Sequence, residues 1–266
     1  MTKIWIVDAF TDKAYSGNPA AVMVVSEFPP EKTCQAIAAE MNLSETAFVK
    51  CLDTDYFHIR WFTPTTEVKL CGHATLASAQ ILFTEQLTQS NTIRFDSLSG
   101  VLNVTQDAAG LILDFPLQKI GESLNLSEFE DLLDLKGNIL NVVQAYDDVI
   151  VELRDVATLH AFKPNLEQIK QLPCRGIILT VANQGQYDFI SRFFAPRVGV
   201  VEDPVTGSAH CKLAHYWSQK LNKTHLYAFQ ASARGGKLEL IVKNERVLLK
   251  GNAVKIMAGE WLIPVA

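Results

Sequence analysis

Phe57-His58-Ile59-Arg60-Trp61-Phe62-Thr63-Pro64 returns later in the chain as Phe189-Ile190-Ser191-Arg192-Phe193-Phe194-Ala195-Pro196, with Phe, Arg, Phe and Pro in the same places. Both copies are rich in aromatic and β-branched residues and end at a proline, the pattern of a strand that leaves its sheet. Each copy then runs to a glycine. Pro64 leads to Gly72-His73-Ala74, and Pro196, after a slightly longer loop, leads to Gly207-Ser208-Ala209 and a helix through Leu213, Ala214 and Trp217. Upstream the parallel continues: Phe28-Pro29-Pro30 and the helix expected over Glu31 to Met41 resemble Phe162-Lys163-Pro164 and the helical stretch Leu166 to Leu172, and an apolar strand follows each. A repeat with shared element order predicts two similar halves. The length of 266 residues, long for one core, agrees.

From Gly72 to Phe83 there is no Asp, Glu, Lys or Arg, and small residues alternate with Leu76, Ile81 and Leu82. A helix apolar on every side has to be enclosed. Short Val-, Ile- and Phe-rich runs on either side (Ile4 to Val7, Ala20 to Val25, Ala47 to Val49, Ile93 to Phe95, Leu111 to Phe115) supply strands to enclose it. The expected fold is therefore α+β: two pseudo-symmetric domains, each a mainly antiparallel sheet rolled around a central helix. The boundary is placed in Leu117 to Asn125, giving halves 1–118 and 119–266. The last strand, Val254 to Ile263, is able to return to the first half, and Ser127 to Asp134 reads as a short surface helix.

Hydrophobic residues make up 48% and charged residues 20%, which excludes disorder and a disulfide scaffold. The net charge of −5, with Lys and Arg scattered singly, argues against nucleic acid or an anionic membrane as partner. Leu70 to Thr84 is too short to span a bilayer, and Asp8 and Asp12 interrupt what a signal peptide would need as an apolar core. Five cysteines (Cys34, Cys51, Cys71, Cys174, Cys211) without a CxxC pair fit reduced thiols. The expectation is a cytoplasmic protein that acts on a small molecule. No GxGxxG after a strand, P-loop, HExxH or Gly-x-Ser-x-Gly frame occurs, so no cofactor and no metal is expected.

The chemistry starts at the two glycines. Backbone N–H groups and the positive end of a helix dipole favour an anion, and two such ends suit a carboxylate. His73 is either a ligand-facing residue or a structural one, and the helix end is expected to lower its proton affinity. Asp203, in Glu202-Asp203-Pro204-Val205-Thr206, is a capping or a proton-handling carboxylate. Glu45, between a helix end and an apolar strand, is an exposed strand-end charge or a general acid/base. Cys71 is an inert buried thiol or a base activated by the adjacent helix start. Arg60 and Arg192, repeated on aromatic strands, read as structural.

Four ordered motifs carry a resemblance across nearly the whole chain: Asp8-Ala9-Phe10-Thr11 with Gly17-Asn18-Pro19-Ala20-Ala21-Val22; Asn42-Leu43-Ser44-Glu45-Thr46-Ala47-Phe48; Cys71-Gly72-His73-Ala74-Thr75-Leu76-Ala77; and Glu202-Asp203-Pro204-Val205-Thr206-Gly207-Ser208-Ala209. In these the chain resembles the PhzF-like isomerases of phenazine biosynthesis, which share the diaminopimelate epimerase fold. The resemblance implies two pseudo-symmetric domains with the ligand between them, and commonly a homodimer. It implies an isomerisation like that of trans-2,3-dihydro-3-hydroxyanthranilate, in which Glu45 moves a proton between carbons while His73 and Asp203 assist. Gly72, Gly207, Ser208 and Asn18 are then the substrate-binding positions.

Related racemases and epimerases of this fold use two opposed cysteines. Here Cys71 occupies one position, but the second loop has none and Cys211 lies a turn further into its helix. The expected function is a cofactor-independent isomerase of a small carboxylate. A ligand-binding protein without turnover and a Cys71-dependent racemase are the alternatives.

Overall fold

The computed structural model describes residues 2–265. It divides into two compact units, one formed by residues up to Asp114 together with those from Lys250 onward, the other by Phe115–Leu249. In the first unit the elements run β1 (Thr2–Ala9), β2 (Asn18–Val25), α1 (Glu31–Met41), β3 (Glu45–Asp53), β4 (Tyr56–Phe62), the short β5 (Glu67–Val68), α2 (Gly72–Thr84), β6 (Thr92–Asp96), β7 (Leu102–Asp107) and β8 (Gly110–Pro116). β1 and β2 pair antiparallel, β2 and β3 parallel, and β3 and β4 antiparallel. β4 takes β5 antiparallel and β6 parallel, and β6, β7 and β8 continue antiparallel. Each parallel neighbour needs a crossover, and α1 and α2 provide the two.

α1 starts after Pro30 and stops at Asn42, whose left-handed backbone (φ 49°) returns its N–H to Ala38. Its buried face, Cys34, Ile37 and Ala38, meets Met23, Phe48 and Phe62 of the sheet. α2 is enclosed as its composition requires, and packs on β1, β2 and β3. Leu76, Ile81 and Leu82 are fully buried, each worth about 1.5–3 kcal/mol. The hydroxyls of Thr75 and Ser78, also buried, donate back to the carbonyls of Cys71 (2.6 Å) and Ala74 (2.7 Å), so they enter the core satisfied.

The second unit repeats this plan. Its elements are α3 (Leu126–Leu133), β9 (Ile139–Ala145), β10 (Asp148–Leu153), α4 (Val156–Ala161), α5 (Leu166–Gln171), β11 (Ile177–Ala182), β12 (Phe189–Ala195), β13 (Val200–Asp203), α6 (Gly207–Leu221), β14 (His225–Gln230), β15 (Gly236–Lys243) and β16 (Arg246–Gly251). Pairing again goes antiparallel, parallel, antiparallel along β9 to β12; β12 takes β13 antiparallel and β14 parallel, and β14 pairs with β15. α6 is the enclosed helix: Trp217 donates to Thr180 of β11 (3.0 Å) and stacks on Phe189 of β12, and Tyr216 donates to Glu152 of β10 (2.5 Å). It carries a buried lysine. Lys212 is 1% exposed and ion-paired to Asp148 and to Asp147.

The repeated arginines are structural, and each has its own glutamate. Arg60 makes a bidentate pair with Glu67 of β5 (2.7 and 2.7 Å), and Arg192 makes the same pair with Glu202 of β13 (2.7 and 3.0 Å). Each guanidinium also lies over a phenylalanine of its own strand, 5.1 Å from Phe62 and 4.8 Å from Phe194. The pair ties the returning loop to the strand that begins it, which is why Arg survives in both copies at matching positions.

The last strand, β17 (Ala253–Trp261), pairs antiparallel with β1 and belongs to the first unit; it ends before Ile263, where the strand was expected to stop. Among the described residues no helix is long and apolar enough to cross a membrane.

Candidate functional site

In the first unit, Asn18 opens β2 and Glu45 opens β3, and the register (Ala9 opposite Asn18, Ala20 opposite Glu45) puts both at one end of the sheet. Gly17 makes this entry possible. It sits at φ +68°, and a Cβ there would come within 2.2 Å of the Ala9 carbonyl, so no other residue fits. The loop before it is closed by the Tyr15 N–H donating to the Asp8 carboxylate at 2.8 Å. Cys71 is the extended residue before α2, and no side chain caps that helix, which leaves the first-turn N–H groups beside Gly72 and His73 without a capping side chain.

These residues converge on the His73 ring. Nε2 lies 3.0 Å from Glu45 Oε2, Nδ1 lies 3.2 Å from the Asn18 amide nitrogen, and Cys71 Sγ lies 3.5 Å from Nδ1 and 4.0 Å from Nε2. His73 and Cys71 are 5% and 6% exposed and Asn18 is fully buried. Glu45 Oε2 is buried, with the His73 ring as its ion-pair partner.

The expected low proton affinity of His73 is corrected by this geometry. Burial opposes the charged ring, but Cys71 and Glu45 outweigh it and hold its pKa well above the usual value. Burial also pushes the Cys71 thiol up to about 11, so it is a neutral thiol near pH 7 and no base. With the thiol neutral, the Glu45 carboxylate is the charge that keeps His73 protonated; the helix end is too weak to prevail over an ion at 3.0 Å. A protonated ring donates from both nitrogens, so the Asn18 amide must turn its oxygen toward Nδ1. An amide flip exchanges the two atoms at no steric cost.

In the second unit the turn before α6 is locked by side chains. Thr206 Oγ1 donates to Asp203 Oδ2 (2.5 Å), the Thr206 N–H donates to Gln230 Oε1 (2.9 Å), and Gln230 Nε2 donates to the Asp203 carbonyl (2.7 Å). Asp203 thus holds the turn that presents Gly207 and Ser208. Ser208 Oγ accepts from Arg175 Nη2 at 3.1 Å, which leaves its own proton for a different acceptor. Arg175 is fixed by Asp148 (2.9 and 2.5 Å) and Asp147 (3.2 Å). Burial lowers His210 to about 4 and raises Cys211 to about 12, so the one is a neutral packing histidine and the other an inert thiol. A thiol pair for racemisation is therefore lacking in chemical terms as well as in sequence.

The first unit brings together Glu45, His73, Asn18 and Gly72; the second brings together Asp203, Gly207 and Ser208. Sequence reasoning missed Arg175 and Gln230, which carry no local signature. One donor atom from each of Glu45, Cys71 and His73 lies within 4.8 Å of the others, with the sulfur nearer Nδ1 of the ring and the carboxylate at Nε2.

The family described as "Phenazine biosynthesis-like protein" (PhzC-PhzF) matches residues 7–259. An uncharacterized isomerase of Pseudomonas aeruginosa is 46% identical over 96% of this chain and 97% of its own. The crystal structure of a PhzF-family phenazine biosynthesis protein from Enterococcus faecalis superposes with a TM-score of 0.93 at 40% identity, covering 98% of this chain and 99% of its own. A probable proline racemase from Agrobacterium radiobacter shares the fold alone, with a TM-score of 0.65 at 7% identity over 99% of this chain and 94% of its own.

Proposed function

Because this chain belongs to the phenazine biosynthesis-like (PhzC-PhzF) family, we propose that it is an isomerase that shifts a proton within a small carboxylate-bearing substrate, with Glu45 as the proton carrier and no cofactor. The observation that carries this reading is the Glu45–His73 contact at 3.0 Å inside a nearly dry cluster. Glu45, at the opening of β3 and 3.0 Å from the His73 ring, is the carboxylate placed to take a proton from a substrate carbon and return it to another. His73, protonated, orients the carboxylate and offsets negative charge that develops on the substrate. One carboxylate working on one face suits a proton shift; inversion of a stereocentre needs an acid and a base on opposite faces.

The uncapped start of α2 at Gly72, with Asn18 beside it, supports binding of the substrate's carboxylate. Gly207 and Ser208 are assigned the same kind of duty, with Asp203 assisting by holding the turn that presents them, supported by the ordered turn at the start of α6 and by the proton that Arg175 leaves available on Ser208. The class of reaction is that of trans-2,3-dihydro-3-hydroxyanthranilate isomerisation, with this chain's own substrate drawn from small unsaturated or carbonyl-activated carboxylates. Turnover of a panel of such compounds tests it: Glu45→Gln must lower kcat by about 10²–10⁴ on any compound that reacts.

A further inference from the structure

We propose that the second unit carries a binding site for a small aromatic carboxylate, in an open cavity between the β9–β10 hairpin and the segment after α5, where Tyr146 offers a ring face and Arg175 and Arg197 offer guanidinium donors. The cavity holds about 560 Å³, a volume ordinary for small-molecule sites, and every residue lining it belongs to this unit.

The polar side of the cavity is cationic and has donors to spare. Arg175 commits Nε and Nη2 to Asp148, Asp147 and Ser208, and Nη1 takes part in none of these bonds. Arg197 donates from Nη1 to the Leu172 carbonyl, which fixes the side chain, and no carboxylate among the described residues pairs with it. Three cations (Arg175, Arg197, Lys212) thus stand with two carboxylates (Asp147, Asp148), and the surplus positive charge attracts an anion. Guanidinium donors match the paired oxygens of a carboxylate or a phosphate.

The walls decide between those two. Tyr146 has a left-handed backbone (φ 57°) at the first central position of the two-residue turn that joins Ala145 to Asp148. Glycine or asparagine is usual at such a position, because a bulky side chain is crowded there. The tyrosine keeps this strain, and its ring, 74% exposed, gains little from burial in return. The turn is braced all the same: Gln144 Nε2 donates to the carbonyls of Tyr146 (2.8 Å) and Asp148 (3.1 Å). A strained, braced backbone that presents an exposed ring at the rim of a cavity is accounted for by a ligand that the ring touches. Pro173 and Val198 extend the apolar wall. An anion with a flat apolar body uses both wall and guanidinium; inorganic phosphate uses only the second.

Arg175 also donates to Ser208 Oγ, so a carboxylate that draws this guanidinium toward the cavity weakens that bond. The consequence rests on the reading of Ser208 as a substrate-binding residue; the binding itself does not. The test is calorimetric titration of the full chain with 4-bromobenzoate, together with the anomalous signal of bromine in a crystal soaked in the same compound. Bromine is expected in the cavity beside Tyr146. Affinity should fall at least about tenfold in Arg197→Gln and at least about threefold in Tyr146→Gly. Glycine accepts the left-handed backbone, so Tyr146→Gly should unfold no more easily than the native chain, which separates lost binding from lost structure. Inorganic phosphate at equal concentration should fail to displace the compound. Bromine absent from the cavity, bromine only at the helix starts beside Gly72 or Gly207, affinity unchanged in both variants, or equal displacement by phosphate each overturns the proposal. Neither readout needs turnover, so bromine in the cavity of a chain that isomerises nothing separates this site from the isomerase reading.

Discussion

His73 Nε2 lies 3.0 Å from Glu45 Oε2, and this contact reverses the expected charge of the ring. His73 has a raised pKa in the folded protein, so its charged form contributes stability that is fully present below about 6.5, the ordinary value, and is lost as pH rises through the folded value. Denaturant unfolding of the native chain and of His73→Gln across pH 6 to 10 should therefore show a stability difference that shrinks with increasing pH. A difference that stays flat across that range would contradict a protonated His73.

Cys71 is shifted in the same direction. With its pKa pushed from 9.0 to about 11, the neutral thiol contributes stability that is present below 9 and lost between 9 and 11. The loss should amount to about 2–3 kcal/mol and be absent in Cys71→Ala. As a neutral thiol Cys71 is also no base, so turnover in Cys71→Ala should fall less than about tenfold, against the 10²–10⁴ expected for a proton carrier. A Cys71→Ala variant as inactive as Glu45→Gln would restore the thiol to the chemistry.

Arg175 acts through Ser208. Lysine in its place cannot keep the bidentate hold on Asp148 and also reach Ser208 Oγ. Arg175→Lys is expected to raise KM roughly tenfold with little change in kcat, the pattern for loss of uniform binding. Ser208→Ala should do the same, and the double variant should be no worse than either single one. Additive losses would mean that Arg175 serves the fold alone.

Asp148 is fully buried against Lys212, which is 1% exposed, while the second partner, Asp147, is 45% exposed. Asp148→Asn leaves the buried Lys212 with only the half-exposed Asp147 and should cost about 3–5 kcal/mol of unfolding free energy, whereas in Lys212→Met the Asp148 carboxylate keeps Arg175, so the cost should be smaller. Equal losses from the two would place the stability elsewhere in the core.

What the sequence revealed were features written locally. The charge-free α2 declared its burial, and the Phe-Arg-Phe-Pro repeat declared the duplication. The partners were not local: Glu67 and Glu202 lie across loops of unequal length from Arg60 and Arg192, so the matching salt bridges escape a constant offset. Arg175 reaches Ser208, and Gln230 reaches Thr206, from strands or loops far along the chain. The proton affinity of His73 is not written locally for the same reason: its own helix is visible in the sequence, and the carboxylate that overrides that helix arrives from β3.

The measurement that bears most directly on the central claim is solvent hydrogen exchange during turnover. With a reacting carboxylate in deuterated water, the product of the native chain should carry deuterium at the carbon that receives the proton, or retain its own by internal transfer, and both product and exchange should vanish in Glu45→Gln while the folded structure persists. Product formed by Glu45→Gln at a rate within tenfold of the native chain would contradict the assignment of Glu45 as the proton carrier.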